Sequence, residues 1–122
     1  LGMITLTKQG ALWWITLNRP EKANALTAAM LRELAEVAES AQQVRGLIIT
    51  GAGGVFSAGG DLDEMAAGLA TSDLWERLSN AIVALPGLSI AALNGTLAGG
   101  LWGWLWSVIS AWRSQRPNFS IR

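Results

Sequence analysis

The chain opens on two runs rich in β-branched and aromatic residues, Ile4-Thr5-Leu6-Thr7 and Leu12-Trp13-Trp14-Ile15-Thr16-Leu17. Gln9-Gly10 lies between them, so the pattern predicts a β-hairpin, and Asn18-Arg19-Pro20 ends its second strand. From Thr27 to Ser40 the period changes. Met30, Leu31, Leu34, Ala35, Val37 and Ala38 recur three and four residues apart, with Arg32, Glu33, Glu36 and Glu39 between them. That spacing predicts an amphipathic helix with Thr27 as its N-cap. Val44 and Leu47-Ile48-Ile49-Thr50 read as a short buried strand closed by Gly51-Ala52-Gly53-Gly54, and Asp61-Leu62-Asp63-Glu64-Met65 opens a second helical pattern. Thr71-Ser72-Asp73 supplies cap residues for a third helix from Leu74 to about Leu85, where Pro86-Gly87 stops it. Leu88-Ser89-Ile90-Ala91-Ala92-Leu93 is a further buried strand, followed by Asn94-Gly95 and by a Gly99-Gly100 pair that should open a helix. Strands alternating with helices predict an α/β fold around a buried sheet.

At 122 residues the chain is one modest domain, and 51% hydrophobic content is too much for a disordered one. Nine basic and nine acidic residues cancel, which argues against nucleic-acid binding through bulk charge. The absence of Cys and His excludes disulfides, thiolate nucleophiles, Ser-His triads and the common zinc ligand sets. Residues 78–112 carry no charge, a length that would permit a membrane span, but Pro86-Gly87, Asn94-Gly95 and Gly99-Gly100 interrupt the run and favour a strand between helices. The start of the chain has no charged n-region and no small-residue cleavage pattern, so the expected location is cytoplasmic.

Chemistry must then come from carboxylates, hydroxyls, Lys, Arg or backbone amides. Gly51-Ala52-Gly53-Gly54-Val55-Phe56 puts Phe where a dinucleotide fingerprint needs its third glycine. Gly54 to Gly59 has the spacing of a phosphate loop, yet Gly60-Asp61 stands where Lys and Ser or Thr are required. What survives is Phe56-Ser57-Ala58-Gly59-Gly60-Asp61-Leu62, a glycine turn leading into a helix, where free N–H groups can meet an oxyanion. A tight turn that needs small residues explains the same glycines, so the residues alone leave both readings open.

Three separated segments resemble the enoyl-CoA hydratase/isomerase (crotonase) superfamily in order and spacing. They are Ile15-Thr16-Leu17-Asn18-Arg19-Pro20-Glu21-Lys22-Ala23-Asn24-Ala25-Leu26, Gly46 through Leu62, and Ile90-Ala91-Ala92-Leu93-Asn94-Gly95 with Ala98-Gly99-Gly100. The resemblance covers residues 3–100 and implies a crotonase-like spiral of ββα units, of which residues 1–100 supply the N-terminal half. It implies an acyl-CoA substrate, a reaction of the hydratase or isomerase type in fatty acid metabolism, no metal or redox cofactor, and a homo-oligomer (trimer or dimer of trimers) for a full-length member. By resemblance the backbone N–H groups of Gly60 and Gly100 form an oxyanion hole for the thioester carbonyl, each donor contributing roughly 3–4 kcal/mol to the transition state. Ala23, Ala25, Ala58 and Leu62 are similar to residues that cradle coenzyme A, and Lys22 is placed to meet a CoA phosphate, although a lysine beside Glu21 is also an ordinary solvated one. The position matching the first hydratase glutamate is Gly103, and no Asp or Glu follows Glu76, so water addition lacks its first carboxylate. The acyl chain and the reaction within the superfamily stay open.

After Gly100 the likeness stops, and residues 101–122 hold four of the seven Trp and three of the nine basic residues. Each Trp codon is TGG, and reading one nucleotide earlier turns it into a codon for Leu, Met or Val. Residues 101–113 can then be read as Ala-Met-Gly-Met-Ala-Leu-Val-Cys-Asp-Leu-Arg-Met-Ala, which resembles the family's next helix and strand. The expectation is therefore a tail read out of frame, on a truncated chain with weak or absent turnover. A competing, non-enzymatic reading keeps the tail and has it bind a membrane surface or a partner.

Overall fold

The computed structural model describes residues 2–97 and 111–114. The hairpin forms as expected: β1 (Ile4–Gln9) and β2 (Leu12–Leu17) pair antiparallel, with Ile4 opposite Leu17 and Gln9 opposite Leu12. The chain then crosses by α1 (Ala28–Ser40) to β3 (Gly46–Gly51), which lies parallel to β2 with Trp13 opposite Leu47 and Ile15 opposite Ile49. After β4 (Val55–Ser57), α2 (Leu62–Ala66) and α3 (Leu74–Val83), β5 (Leu88–Leu93) adds in parallel to the other edge of β3. Ala111–Ser114 forms β7, parallel to β5, giving the order β1-β2-β3-β5-β7. The architecture is α/β.

The core lies on one face of this sheet. Ile4, Ile15, Leu17, Leu47, Ile49 and Ala91 project from the strands and meet Met30, Leu31, Leu34 and Ala38 of α1 and Leu78, Ala81 and Ile82 of α3. The three-and-four spacing in α1 thus has the cause expected of it: each of those apolar residues is buried while Arg32, Glu36 and Glu39 are exposed. Thr27 caps the helix, its hydroxyl accepting the Met30 N–H at 3.1 Å.

The structure differs from the sequence expectation in three places. Residues read as one glycine turn contain β4, which pairs in parallel with β6 (Thr96–Leu97) in a separate two-stranded sheet. Helix α3 ends at Val83, and its first turn is held by the Ser72 hydroxyl accepting the Leu74 N–H at 3.1 Å, the Asp73 side chain making no cap bond. Helix α2 has only five residues, so its end carries little dipole. The helix expected at Gly99-Gly100 lies outside the described residues. No helix among the described residues is long and apolar enough to cross a membrane.

Candidate functional site

Two loops leave the carboxyl ends of the neighbouring parallel strands β2 and β3 and meet. In the first, Pro20 starts a single 3-10 turn, Pro20–Lys22, because its fixed φ suits a first helical position and it has no N–H to satisfy. The turn closes with Ala23 and Asn24 both left-handed, at φ 51° and 55°. Asn tolerates this region and Ala does not, so something must hold it. The holder is the Asn24 side chain, wholly buried, whose Nδ2 donates to the carbonyls of Ala52 at 2.9 Å and Val55 at 2.8 Å. Its Oδ1 accepts the Arg19 N–H at 2.8 Å, and its backbone carbonyl accepts the Ser57 hydroxyl at 2.8 Å. One side chain thereby ties the first loop to the second.

The second loop then runs beside the first as an isolated parallel bridge between Leu26 and Gly60. Ala58 N–H donates to Ala23 O at 2.9 Å, Leu26 N–H to Gly59 O at 2.8 Å, and Asp61 N–H to Leu26 O at 2.8 Å. Gly59 sits at φ +96°, a conformation that L side chains rarely adopt, and its N–H donates to the Ser57 hydroxyl at 3.1 Å. These bonds fix the direction of one further group. In a planar trans peptide the carbonyl and the following N–H point opposite ways. Because Gly59 O faces Leu26, the Gly60 N–H faces away from the bridge, and it finds no acceptor among the described residues. The Met65 side chain lies against Gly60: a Cβ there would stand 2.5 Å from Met65 Sδ and 2.8 Å from Met65 Cγ, so a larger residue would make that flexible side chain move aside.

An ion pair spans the two loops. Arg19 Nη1 donates to Asp61 Oδ2 at 2.9 Å and to the Ala25 carbonyl at 3.1 Å, with both side chains 16% exposed. The other Asp61 oxygen accepts the Glu64 N–H at 3.1 Å and so caps α2. The Arg19 guanidinium, with the Glu64 N–H second, holds the Asp61 carboxyl below the usual carboxylate range. Glu64 Oε1 in turn accepts the Ala28 N–H at 2.7 Å, joining α2 to the first turn of α1.

Of the residues expected at a site, Ala23, Ala25, Ala58 and Gly60 come together along this bridge. Leu62 follows on α2 with 86% of its surface exposed, and Lys22 is exposed on the 3-10 turn. Gly100 lies outside the described residues, as does the whole tail apart from 111–114. Arg19, Asn24, Ser57 and Asp61 shape the bridge and are not among the site residues expected from the sequence, where Arg19 ends a strand and Asp61 opens a helix. Their one local signal is that they are polar residues inside the family-like segments, and their partners lie as far as 42 residues away. Chemically, the arrangement presents one oriented backbone donor at a half-buried position beside an exposed apolar side chain.

The family model for enoyl-CoA hydratase/isomerase matches residues 7–105. A Rhodobacter capsulatus protein bearing the name "Probable enoyl-CoA hydratase" is 42% identical over 91 residues, 70% of this chain and 35% of that protein. The Bos taurus ethylmalonyl-CoA decarboxylase is 33% identical over 109 residues, 81% of this chain and 36% of that one. Among solved structures, an enoyl-CoA hydratase from Thermoplasma volcanium superposes with a TM-score of 0.79 at 28% identity, covering 92% of this chain and 48% of that one. The Pseudomonas aeruginosa DspI structure does so with a TM-score of 0.80 at 28% identity, covering 95% and 50%. The chain thus spans about a third of the length of these curated relatives and about half of these structures.

Proposed function

The chain belongs to the enoyl-CoA hydratase/isomerase family, and we propose that its described part is the half-site that binds an acyl-CoA thioester and polarises its carbonyl with the Gly60 N–H. The observation that carries this reading is the direction of that N–H, turned out of the Leu26 bridge and left without an acceptor among the described residues. Gly100, by the family resemblance, supplies the second donor. A pair of preorganised amides stabilises the negative charge that develops on a thioester oxygen in any reaction passing through an enolate, and neither donor has to reorganise as the charge appears. Leu62, Ala58, Ala25 and Ala23 form the apolar and backbone cradle for the cofactor portion of the substrate, with Lys22 near its phosphates.

The reaction follows from what is missing as well as present. With Gly103 where a hydratase carries its first glutamate, addition of water has no first carboxylate in this chain. A reaction that forms the enolate otherwise fits better: an isomerisation with its base elsewhere, or the loss of CO2 from a malonyl-type thioester, the chemistry for which one relative is named. We further infer that residues 101–122 are read out of frame, the repaired frame restoring a family-like helix and strand. Sequencing the coding DNA through the Gly99-Gly100 codons tests this, and an unbroken frame with a 12.9 kDa product overturns it.

The carbonyl reading is tested by a pair of substitutions. Gly60→Pro removes the N–H and adds a Cβ, whereas Gly60→Ala adds the same Cβ against Met65 and keeps the N–H. An arylacryloyl-CoA, whose absorption moves to the red when its thioester carbonyl accepts hydrogen bonds, should shift on binding to the parent chain and to Gly60→Ala. Gly60→Pro should bind it without the shift. A full shift with Gly60→Pro would remove Gly60 from the site.

A further inference from the structure

We infer that Arg19 is a positioning residue for the oxyanion donor, acting through the Leu26–Gly60 bridge; this rests on the carbonyl reading of Gly60. The direction of the Gly60 N–H is set at the bridge by Leu26 N–H to Gly59 O at 2.8 Å and Asp61 N–H to Leu26 O at 2.8 Å, with Ala58 N–H to Ala23 O at 2.9 Å just before them. A two-bond bridge outside any strand is weak by itself, since its residues keep most of their backbone freedom unless neighbours restrain them. Arg19 supplies that restraint from both sides. A single nitrogen, Nη1, holds the carbonyl of Ala25, the residue before Leu26, and the carboxylate of Asp61, the residue after Gly60. The bridge is therefore clamped at one position upstream on the first loop and one position downstream on the second.

The clamp reaches the other wall of Gly60 as well. Asp61 uses its second oxygen to cap α2, and α2 carries Met65, the side chain seated against the Gly60 Cα. Arg19 is itself fixed by its backbone, its N–H donating to the buried Asn24 Oδ1 and its carbonyl accepting the Asn24 N–H at 2.9 Å. The guanidinium has one rigid base and two loads. The contrast is Arg77, which holds Glu39 through two nitrogens at 3.0 and 2.8 Å on an exposed helical surface and touches neither loop.

The test uses the full chain with two variants. Arg19→Met keeps the apolar stem and removes both bonds; Asp61→Asn keeps an oxygen to cap α2 and removes the charge that Arg19 holds. Amide hydrogen exchange should quicken about tenfold at Leu26 and Asp61 in both variants while Leu47 and Ile49 in β3 are unchanged. Arylacryloyl-CoA should bind Arg19→Met within about threefold of the parent affinity but with less than half of the red shift, because the donor is still present and no longer aimed. Unchanged exchange at Leu26 and Asp61 in both variants would overturn the clamp. So would a full red shift in both. A red shift that survives Gly60→Pro overturns the carbonyl reading instead, and the exchange measurement still decides whether Arg19 holds the bridge.

Discussion

The helical face of the sheet is buried and the loop cluster at the carboxyl ends of β2 and β3 is buried only around Asn24 and Ser57, and the two are held by different forces. On the helical face, Leu31, Leu34, Leu47, Ile49, Leu78 and Ile82 exclude water from one another, and their attraction is non-directional. In the loop cluster, Asn24, Ser57, Arg19 and Asp61 hold backbone groups by hydrogen bonds whose angles matter. A hydrophobic core can relax around a lost methyl group, whereas a loop that aims one N–H cannot turn by much and still aim it. The first region spreads its stability over many non-directional contacts, and the second concentrates it in a few directed bonds.

The largest effects should separate the two. Asn24→Ala strands the carbonyl of Ala52 and the N–H of Arg19, leaves the Val55 carbonyl only the longer bond from Asn94 Nδ2 at 3.4 Å, and puts Ala in a left-handed conformation. The expected loss is about 4 kcal/mol, from roughly 1–3 kcal/mol for each half-buried group left unpaired together with the left-handed strain. Asn24→Gly should recover about 1 kcal/mol of that by relieving the left-handed strain. Leu31→Ala, at a wholly buried position of α1, should cost about 3 kcal/mol through lost burial and a cavity. Urea midpoints give the sizes. Exchange at Leu26 tells the regions apart, quickening beyond the global change in the Asn24 variants and only in step with it in Leu31→Ala. If Asn24→Gly is no more stable than Asn24→Ala, the left-handed turn is not a source of strain.

The same contrast explains what could be read from the residues alone. Helix α1 with its Thr27 cap, the hairpin and β5 were legible, because their signals are local: a period of 3.6 or 2, and a cap beside the run it starts. Strand β4 was not, since three residues carry no period, and its partner β6 lies about forty residues on. The family was legible from motifs. The bonds that turn the Gly60 N–H out of the bridge were not, because those of Asn24 to Ala52 and Val55 and of Arg19 to Asp61 join residues 28, 31 and 42 apart. Nothing in a polar residue's own neighbourhood announces a partner at that distance.

Acid should weaken the two regions unequally. Asp61 is held low by Arg19 and Glu39 is held low by Arg77. A carboxyl whose pKa is lower folded than unfolded adds stability that is complete above its unfolded value, about 4, and is lost as the pH falls through the folded value. Urea midpoints should therefore hold steady from about pH 7 to about pH 5 and decline below that. Asp61→Asn should flatten the decline more than Glu39→Gln, because the Asp61 side chain is 16% exposed and that of Glu39 is 46% exposed, where water and salt screen the pair. Equal flattening by the two substitutions would mean that burial of the loop pair has no energetic consequence.

The smallest effect on stability should be the most specific to the site. Leu62 on α2 and Val83 at the end of α3 are both apolar and both face water, 86% and 66% exposed. Changing either to Ser should change the unfolding free energy obtained from urea titration by no more than about 0.5 kcal/mol, as for surface positions generally. Only Leu62 lies one residue past Asp61, beside the donor at Gly60. If an acyl-CoA thioester covers it, burial of that side chain is worth about 1.5 kcal/mol, and Leu62→Ser should weaken arylacryloyl-CoA binding about tenfold. Val83→Ser should leave binding unchanged. Equal affinities for the two variants would place the bound thioester elsewhere and leave the exposure of Leu62 without a use, whereas a tenfold gap would show that α2, the shortest α-helix among the described residues, serves the ligand more than the core.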